Sequence, residues 1–183
     1  SLNPADARLF NLAQRLPTRQ ALAPFARVLV QDSTAQKLPK HLAALFPGAG
    51  NQHDSAQATL KIQWIADLKN STVEHVSLSA FTRNDQAAAP DILTVARAGD
   101  LVVRDLGCFV SDVLARLVET GVFFLSRLRH DVNLYDPRTG RPLDLIARLQ
   151  EAGSLDQAVL VGPERVPARL VALPVPQEVA NGR

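Results

Sequence analysis

Two short apolar runs in this chain each end in an acid: Val28-Leu29-Val30-Gln31-Asp32 and Leu101-Val102-Val103-Arg104-Asp105. Runs this short and this apolar fit strands buried on both faces, and such strands belong to sheets covered by helices. That constrains the chain to an α/β fold. Each acid is then the residue at which its strand emerges at the carboxyl edge of the sheet, where open α/β sheets gather their ligands.

The stretch between the two runs supplies the rest of a sheet. From Ala58 to Asp67 the residues alternate, with Ala58, Leu60, Ile62, Trp64 and Ala66 on one face and Thr59, Lys61, Gln63 and Asp67 on the other. A period of two marks a half-buried strand, and the apolar face is expected to point inward. Lys69-Asn70-Ser71 supplies a turn. A second alternating strand follows with Val76, Leu78 and Ala80 predicted inward, so the two strands form an antiparallel hairpin. Thr82-Arg83-Asn84-Asp85 fits a capping box and predicts a helix to about Arg97, with Pro90 near its start. Ser111 is expected to cap a further helix whose apolar side holds Val113, Leu114, Leu117 and Val118, closed by Gly121. Val122 to Leu125 reads as another buried strand. The order β, β, β, α, β, α, β predicts a mixed sheet of three antiparallel strands followed by two that enter parallel through crossover helices.

Elements on either side are simpler. Asn3-Pro4 predicts a helix start, with Leu9, Leu12 and Leu16 at helical spacing before Pro17, and a second helical stretch covers Arg19 to Phe25. A short helix is predicted at Lys40 to Phe46 and a loop at Gly48 to Ser55. The strand that begins at Val28 is expected to end at Asp32, with Ser33-Thr34 opening a loop. Beyond His130 the pattern changes. Asp136 to Gly140 reads as a turn, Leu143 to Leu149 as a helix, and Ala158 to Val175 as a hairpin around Gly162-Pro163-Glu164. The chain therefore divides into a helical segment (1–26), an α/β core (27–130) and an added element (131–183).

Composition excludes several classes. With 46% apolar residues, 21% charged residues and a net charge of +2, the chain lacks the strongly basic signature of a stand-alone nucleic-acid binder. Its single cysteine, Cys108, excludes a disulfide framework and a cysteine-built zinc site. His41, His53, His75 and His130 share no ligand spacing. No apolar run approaches the ~20 residues that span a bilayer and no signal-peptide pattern opens the chain, which predicts no membrane partner and a cytoplasmic location. There is no Met, and the chain opens Ser-Leu-Asn-Pro; either the start residue is removed or this is a piece of a longer protein.

If the two acid-ended strands are neighbours, Asp32 and Asp105 converge. Two close carboxylates repel unless a cation lies between them. Hard oxygen ligands of this kind suit Mg²⁺ or Mn²⁺, and paired ions can activate an attacking oxygen and stabilise a leaving one in phosphoryl transfer. On spacing alone a second reading stands beside this one, in which Asp32 caps a loop through Ser33-Thr34 and Asp105 does so through Gly107.

Asp32-Ser33-Thr34, the block Gly99 to Phe109, and Phe123-Phe124-Leu125-Ser126-Arg127-Leu128 resemble the DDE transposases of bacterial insertion sequences. The resemblance is to the insertion-sequence-four type, whose core is split by a β-rich insertion. Asn84-Asp85-Gln86 shares it, and it covers about residues 25 to 180. It implies a ribonuclease H-like core in which Asp32 and Asp105 match the first and second of three catalytic acids, on adjacent parallel strands. It also implies two Mg²⁺ (or Mn²⁺) ions, cleavage and strand transfer at transposon ends and target DNA, paired protomers on DNA, and a bacterial, nucleoid-associated setting. Arg127, Lys37 and Arg129 become candidate DNA contacts. The family usually carries Tyr at Cys108 and Ser at Val110. Its third acid lies in a Tyr-x₂-Arg-x₃-Glu-x₆-Lys signature. Tyr135 and Arg138 start that spacing, but positions 142 and 149 are Pro and Leu. Glu151, Asp156, Glu164 and Glu178 read instead as solvated. The third acid is therefore expected beyond Arg183, residues 131–183 as part of the insertion, and this piece as inactive alone. Two alternatives remain: a non-catalytic DNA- or protein-binding remnant of the same fold, and a complete metal-dependent nuclease using a later acid.

Overall fold

The structure, a computed structural model of the chain, describes residues 20–48 and 57–175. It divides into two compact units, 1–127 and 128–183. The predicted helix from Asn3 lies outside the described residues, as does most of the Gly48 to Ser55 loop; of the Arg19 to Phe25 stretch, residues 20–22 are helical.

The first unit holds a five-stranded sheet built from β1 (Val28–Leu38), β2 (Ala58–Asp67), β3 (Thr72–Ala80), β4 (Leu101–Arg104) and β5 (Phe123–Ser126), in the order β3-β2-β1-β4-β5. β1, β2 and β3 pair antiparallel, while β4 joins β1, and β5 joins β4, in parallel. This is the mixed sheet that the element order predicts. Helix α1 (Asp85–Ala88) precedes β4 and helix α2 (Ser111–Glu119) connects β4 to β5. Gly121, at φ +74°, lets the chain leave α2 in the left-handed conformation and turn into β5.

The register of the parallel strands is fixed at their start. Val28 pairs with Leu101, and one residue earlier Arg27 pairs with Asp100, Nη2 to Oδ2 at 2.6 Å and Nε to Oδ1 at 3.2 Å. Asp100 is 1% exposed and also accepts from the Arg97 backbone N–H at 2.8 Å. Arg27 donates further to the Val95 carbonyl and to Glu74. The fork geometry of this pair defines both distance and direction.

Several elements differ from expectation. β1 runs through Ser33 and Thr34 to Leu38, because β2 supplies backbone partners along Leu29–Leu38 after β4 has ended. The Lys40 to Phe46 helix is one 3₁₀ turn, Lys40–Leu42. The long helix from Thr82 is instead the four-residue α1, capped by Asn84 on the Ala87 N–H at 2.8 Å, followed by a 3₁₀ stretch Ala89–Thr94. Pro90 lacks the N–H that would carry an α-helix through this point. The N-cap of α2 is Val110, with Ser111 the first helical residue.

The largest correction concerns which side of the hairpin is buried. The alternation in β2 is present, but Thr59, Lys61, Gln63, Ile65 and Asp67 are the buried set, and Leu60, Ile62, Trp64 and Ala66 are half-exposed. On β3, Val76 and Leu78 are exposed rather than inward. The covering elements decide this. Ala88, Ala89 and Ile92, with Val113, Leu114 and Leu117 of α2, are fully buried on the side shared with Leu29 and Val102. The other side, the open face, carries the half-exposed residues of β2 and the exposed Val76 and Leu78 of β3.

The second unit is a three-stranded antiparallel sheet in the order β6-β7-β8, from β6 (Leu134–Tyr135), β7 (Leu155–Val161) and β8 (Val166–Ala172), with helix α3 (Leu145–Ala152) between β6 and β7. Asp144 caps α3, which therefore begins two residues later than Leu143. The β7–β8 hairpin turns at the expected Gly162-Pro163-Glu164. Arg165 stacks on Tyr135, 3.3 Å from the ring centroid. No helix among the described residues is long and apolar enough to cross a membrane.

Removing one partner of a buried pair leaves an uncompensated charge. Asp100→Ala is therefore expected to destabilise the chain by about 3 kcal/mol, read as a lower urea midpoint. Arg169→Ala, which breaks an exposed pair with Asp156, should leave the midpoint nearly unchanged.

Candidate active site

The last paired residues of the parallel strands are Gln31 with Arg104 and Arg104 with Ser126. One step further along each strand stand Asp32, Asp105 and Arg127. The three side chains thus follow one another just past the parallel pairing, Asp32 inside β1, which continues beside β2, and Asp105 and Arg127 just beyond β4 and β5, on strands about 4.8 Å apart. By alternation Asp32 shares the open face of the sheet with Val30, and Asp105 shares it with Val103. Both acids are exposed. The Asp32 carboxylate accepts from the Ser33 N–H at 2.7 Å, and Asp105 faces Arg127 at 3.6 Å, with both side chains well exposed. The geometry thus brings Asp32, Asp105 and Arg127 to one edge.

Lys37 is exposed on β1, five residues past Asp32 and on the opposite face, roughly 16 Å along the strand. Arg129 belongs to the second unit and pairs with Asp131, Nε to Oδ1 at 2.9 Å. Glu151, Asp156 and Glu164 are exposed, and Glu178 lies outside the described residues. Among the described residues no group of three or more His, Cys, Asp or Glu is arranged to hold a metal ion.

Behind the acids, on the covered face, lies a buried polar layer. Arg104, 4% exposed, donates to Gln31 Oε1 and to the Ala89 carbonyl, both at 2.7 Å, and Gln31 donates to the Ala88 carbonyl at 2.8 Å. Burial pushes the Arg104 guanidinium below its usual range, against the opposing pull of Cys108. Burial raises the Cys108 thiol; Arg104 opposes this, and the carboxylates of Asp85 and Asp32 add to the rise. Cys108 is a buried packing residue behind the acids.

Asp85 is the group that residue-by-residue reading missed. Its Oδ1 accepts from Ser33 Oγ at 2.8 Å, Lys61 Nζ at 2.8 Å and Gln63 Nε2 at 3.2 Å. Burial pushes its carboxyl up, but the hydrogen bonds from Lys61, Ser33 and Gln63 outweigh that and hold it below the usual range. The available signal was the alternation itself: Lys61 and Gln63 are two residues apart on one face of β2 and need a buried partner once that face turns inward.

A family model described as Transposase DDE domain matches residues 23–166. The chain belongs to the DDE transposase family. It is 34% identical over 119 residues to the transposase for insertion sequence element IS231B of Bacillus thuringiensis subsp. berliner, covering 64% of this chain and 24% of that protein. It is 35% identical over 115 residues to the transposase of IS231C from the same source, covering 63% of this chain and 24% of that one. To the transposase of IS1151 from Clostridium perfringens it is 29% identical over 111 residues, covering 61% of this chain and 23% of that relative. This transposase chain thus spans about a quarter of the length of those relatives. Among solved structures, the Mos1 transposase paired-end complex with left transposon end gives a TM-score of 0.39 at 11% identity, covering 72% of this chain and 45% of that one.

The lowered Asp85 carboxyl has a pH consequence. Its contribution to stability is complete above the unfolded carboxylate value, about 3.9, and is lost as pH falls through the lower folded value. Urea midpoints compared at pH 5 and pH 3 should therefore fall less in Asp85→Asn than in the unaltered chain.

Proposed function

We propose that this chain supplies the first two metal-binding acids of an enzyme that cuts transposon ends and joins them to target DNA. The observation that carries this reading is the placement of Asp32 and Asp105 one step past the last paired residues of adjacent parallel strands, in a member of the DDE transposase family. Two exposed carboxylates without a bidentate cationic partner are a fit donor set for Mg²⁺ or Mn²⁺, which favour oxygen ligands and retain several waters. When bound there, such ions supply an activated attacking oxygen and charge stabilisation for the leaving one.

The chain's own residues do the rest. The parallel register holds Asp32 and Asp105 level. Arg127, beside Asp105, offers a guanidinium to a DNA phosphate, a contact that positions the backbone without reading sequence. The two acids alone leave the site short of ligands, so the isolated chain binds metal weakly and turns over little. Lys37 contributes to DNA binding away from the acids, and Arg129 contributes from the second unit. Residues 131–183 belong to the family's β-rich insertion. In the whole enzyme two protomers act together on paired DNA ends.

In the complete transposase, Asp105→Ala and Asp32→Ala should each abolish strand cleavage of a labelled transposon end while leaving the circular dichroism spectrum unchanged. Wild-type cleavage by either variant contradicts the assignment. Arg127→Ala should weaken DNA binding and flatten its dependence on salt, because one phosphate contact is lost.

A further inference from the structure

Asp85 stands on the far side of the sheet from both acids, yet it touches the chain beside each of them. On the β1 side its Oδ1 accepts from Ser33 Oγ at 2.8 Å, and the same Ser33 gives its backbone N–H to Asp32 at 2.7 Å. Ser33 thus bridges the two carboxylates, one through its hydroxyl and one through its amide. On the β4 side Asp85 packs against Gly107, two residues past Asp105. A Cβ placed on Gly107 would stand 3.1 Å from Asp85 Oδ2 and 3.4 Å from its Cβ, so a larger residue there displaces the carboxylate. Lys61 and Gln63 of β2 hold Asp85 from behind. With its charge matched by the Lys61 ammonium, which is 10% exposed, Asp85 has no need of a metal ion. Its hydrogen bonds go to groups that are themselves tied to the backbone of β1 and β2.

We propose that Asp85 is a positioning residue: through Ser33 and Gly107 it sets the spacing of Asp32 and Asp105 and so tunes their shared affinity for a divalent cation, without ligating it. This rests on the metal-site reading of the two acids. Groups that orient metal ligands from outside the coordination sphere commonly alter metal affinity 10–100-fold, and Asp85 acts on both ligand-bearing segments at once.

The test is Mn²⁺ binding to the full chain, followed by water-proton relaxation, with circular dichroism and thermal melting on every variant. The variants are Asp85→Asn, Ser33→Ala and Gly107→Ala, with Asp32→Ala as the reference for loss of a ligand. Ser33→Ala removes one half-buried hydroxyl and keeps the fold even if Asp85→Asn does not. Asp32→Ala should abolish specific binding. Asp85→Asn, Ser33→Ala and Gly107→Ala should each weaken it about tenfold while the spectrum stays native. If Asp32→Ala abolishes binding but Ser33→Ala and Gly107→Ala bind as the unaltered chain does, the positioning role is overturned and the metal site stands. If Asp85→Asn abolishes binding as fully as Asp32→Ala while Ser33→Ala has no effect, Asp85 is a ligand and the proposal is again wrong. If Asp32→Ala binds normally, the metal-site reading fails and takes this inference with it.

Discussion

The fork between Arg27 and Asp100 is the constraint on which the rest depends. It lies one residue before the first parallel pair, Val28 with Leu101, and fixes which residue of β1 faces which residue of β4. In a sheet a slip of one position moves every side chain to the opposite face. Such a slip here would send either Asp32 or Asp105 through to the covered side and destroy their alignment. The ion pair sits just before the parallel β1–β4 pairing and the two acids just after it, so the alignment of the acids is set by electrostatics at the other end of that pairing.

The sheet divides its two faces unusually. The covered face carries Gln31, Arg104, Lys61, Gln63 and Asp67, all buried. Buried polar groups are tolerable only when partnered, and short helical segments supply partners directly: the Ala88 and Ala89 carbonyls take Gln31 and Arg104, and Asp85 takes Lys61 and Gln63. The open face carries Trp64, Ile62, Val76, Leu78 and Leu125, half-exposed or exposed, together with both acids.

Much of this was legible in the chain. Asp105 at the end of β4, the antiparallel hairpin, the crossover order and the β7–β8 hairpin follow from apolar runs, alternation and turn residues, each a local signal, whereas Asp32 lies inside β1 because β2 extends the pairing past the apolar run. What local signals cannot carry is which face of an alternating strand meets the helices. For β2 and β3, Leu60, Ile62, Val76 and Leu78 argued for one face, but the fold covers the other because α1 brings Asp85 to Lys61 and Gln63. The same tertiary pairing explains why Asp85 was noticed only as part of a resemblance. Its partners Ser33, Lys61 and Gln63 lie 52, 24 and 22 positions away in the chain. The elements at Lys40 and Asp85 are shorter than their apolar spacing predicts, since neither one 3₁₀ turn nor a Pro-interrupted helix differs from a full helix in that spacing.

We propose that Asp32 and Asp105, 73 positions apart in the chain, share one divalent site. Iron-directed backbone cleavage tests it most directly. Fe²⁺ replaces Mg²⁺ at oxygen sites, and with ascorbate and peroxide it generates hydroxyl radicals that cut only nearby backbone. Mass mapping of the fragments should show two clusters of cuts, at residues 31–34 and 104–107, both suppressed by excess Mg²⁺. Cuts at only one of these segments, or at neither, would contradict the shared site.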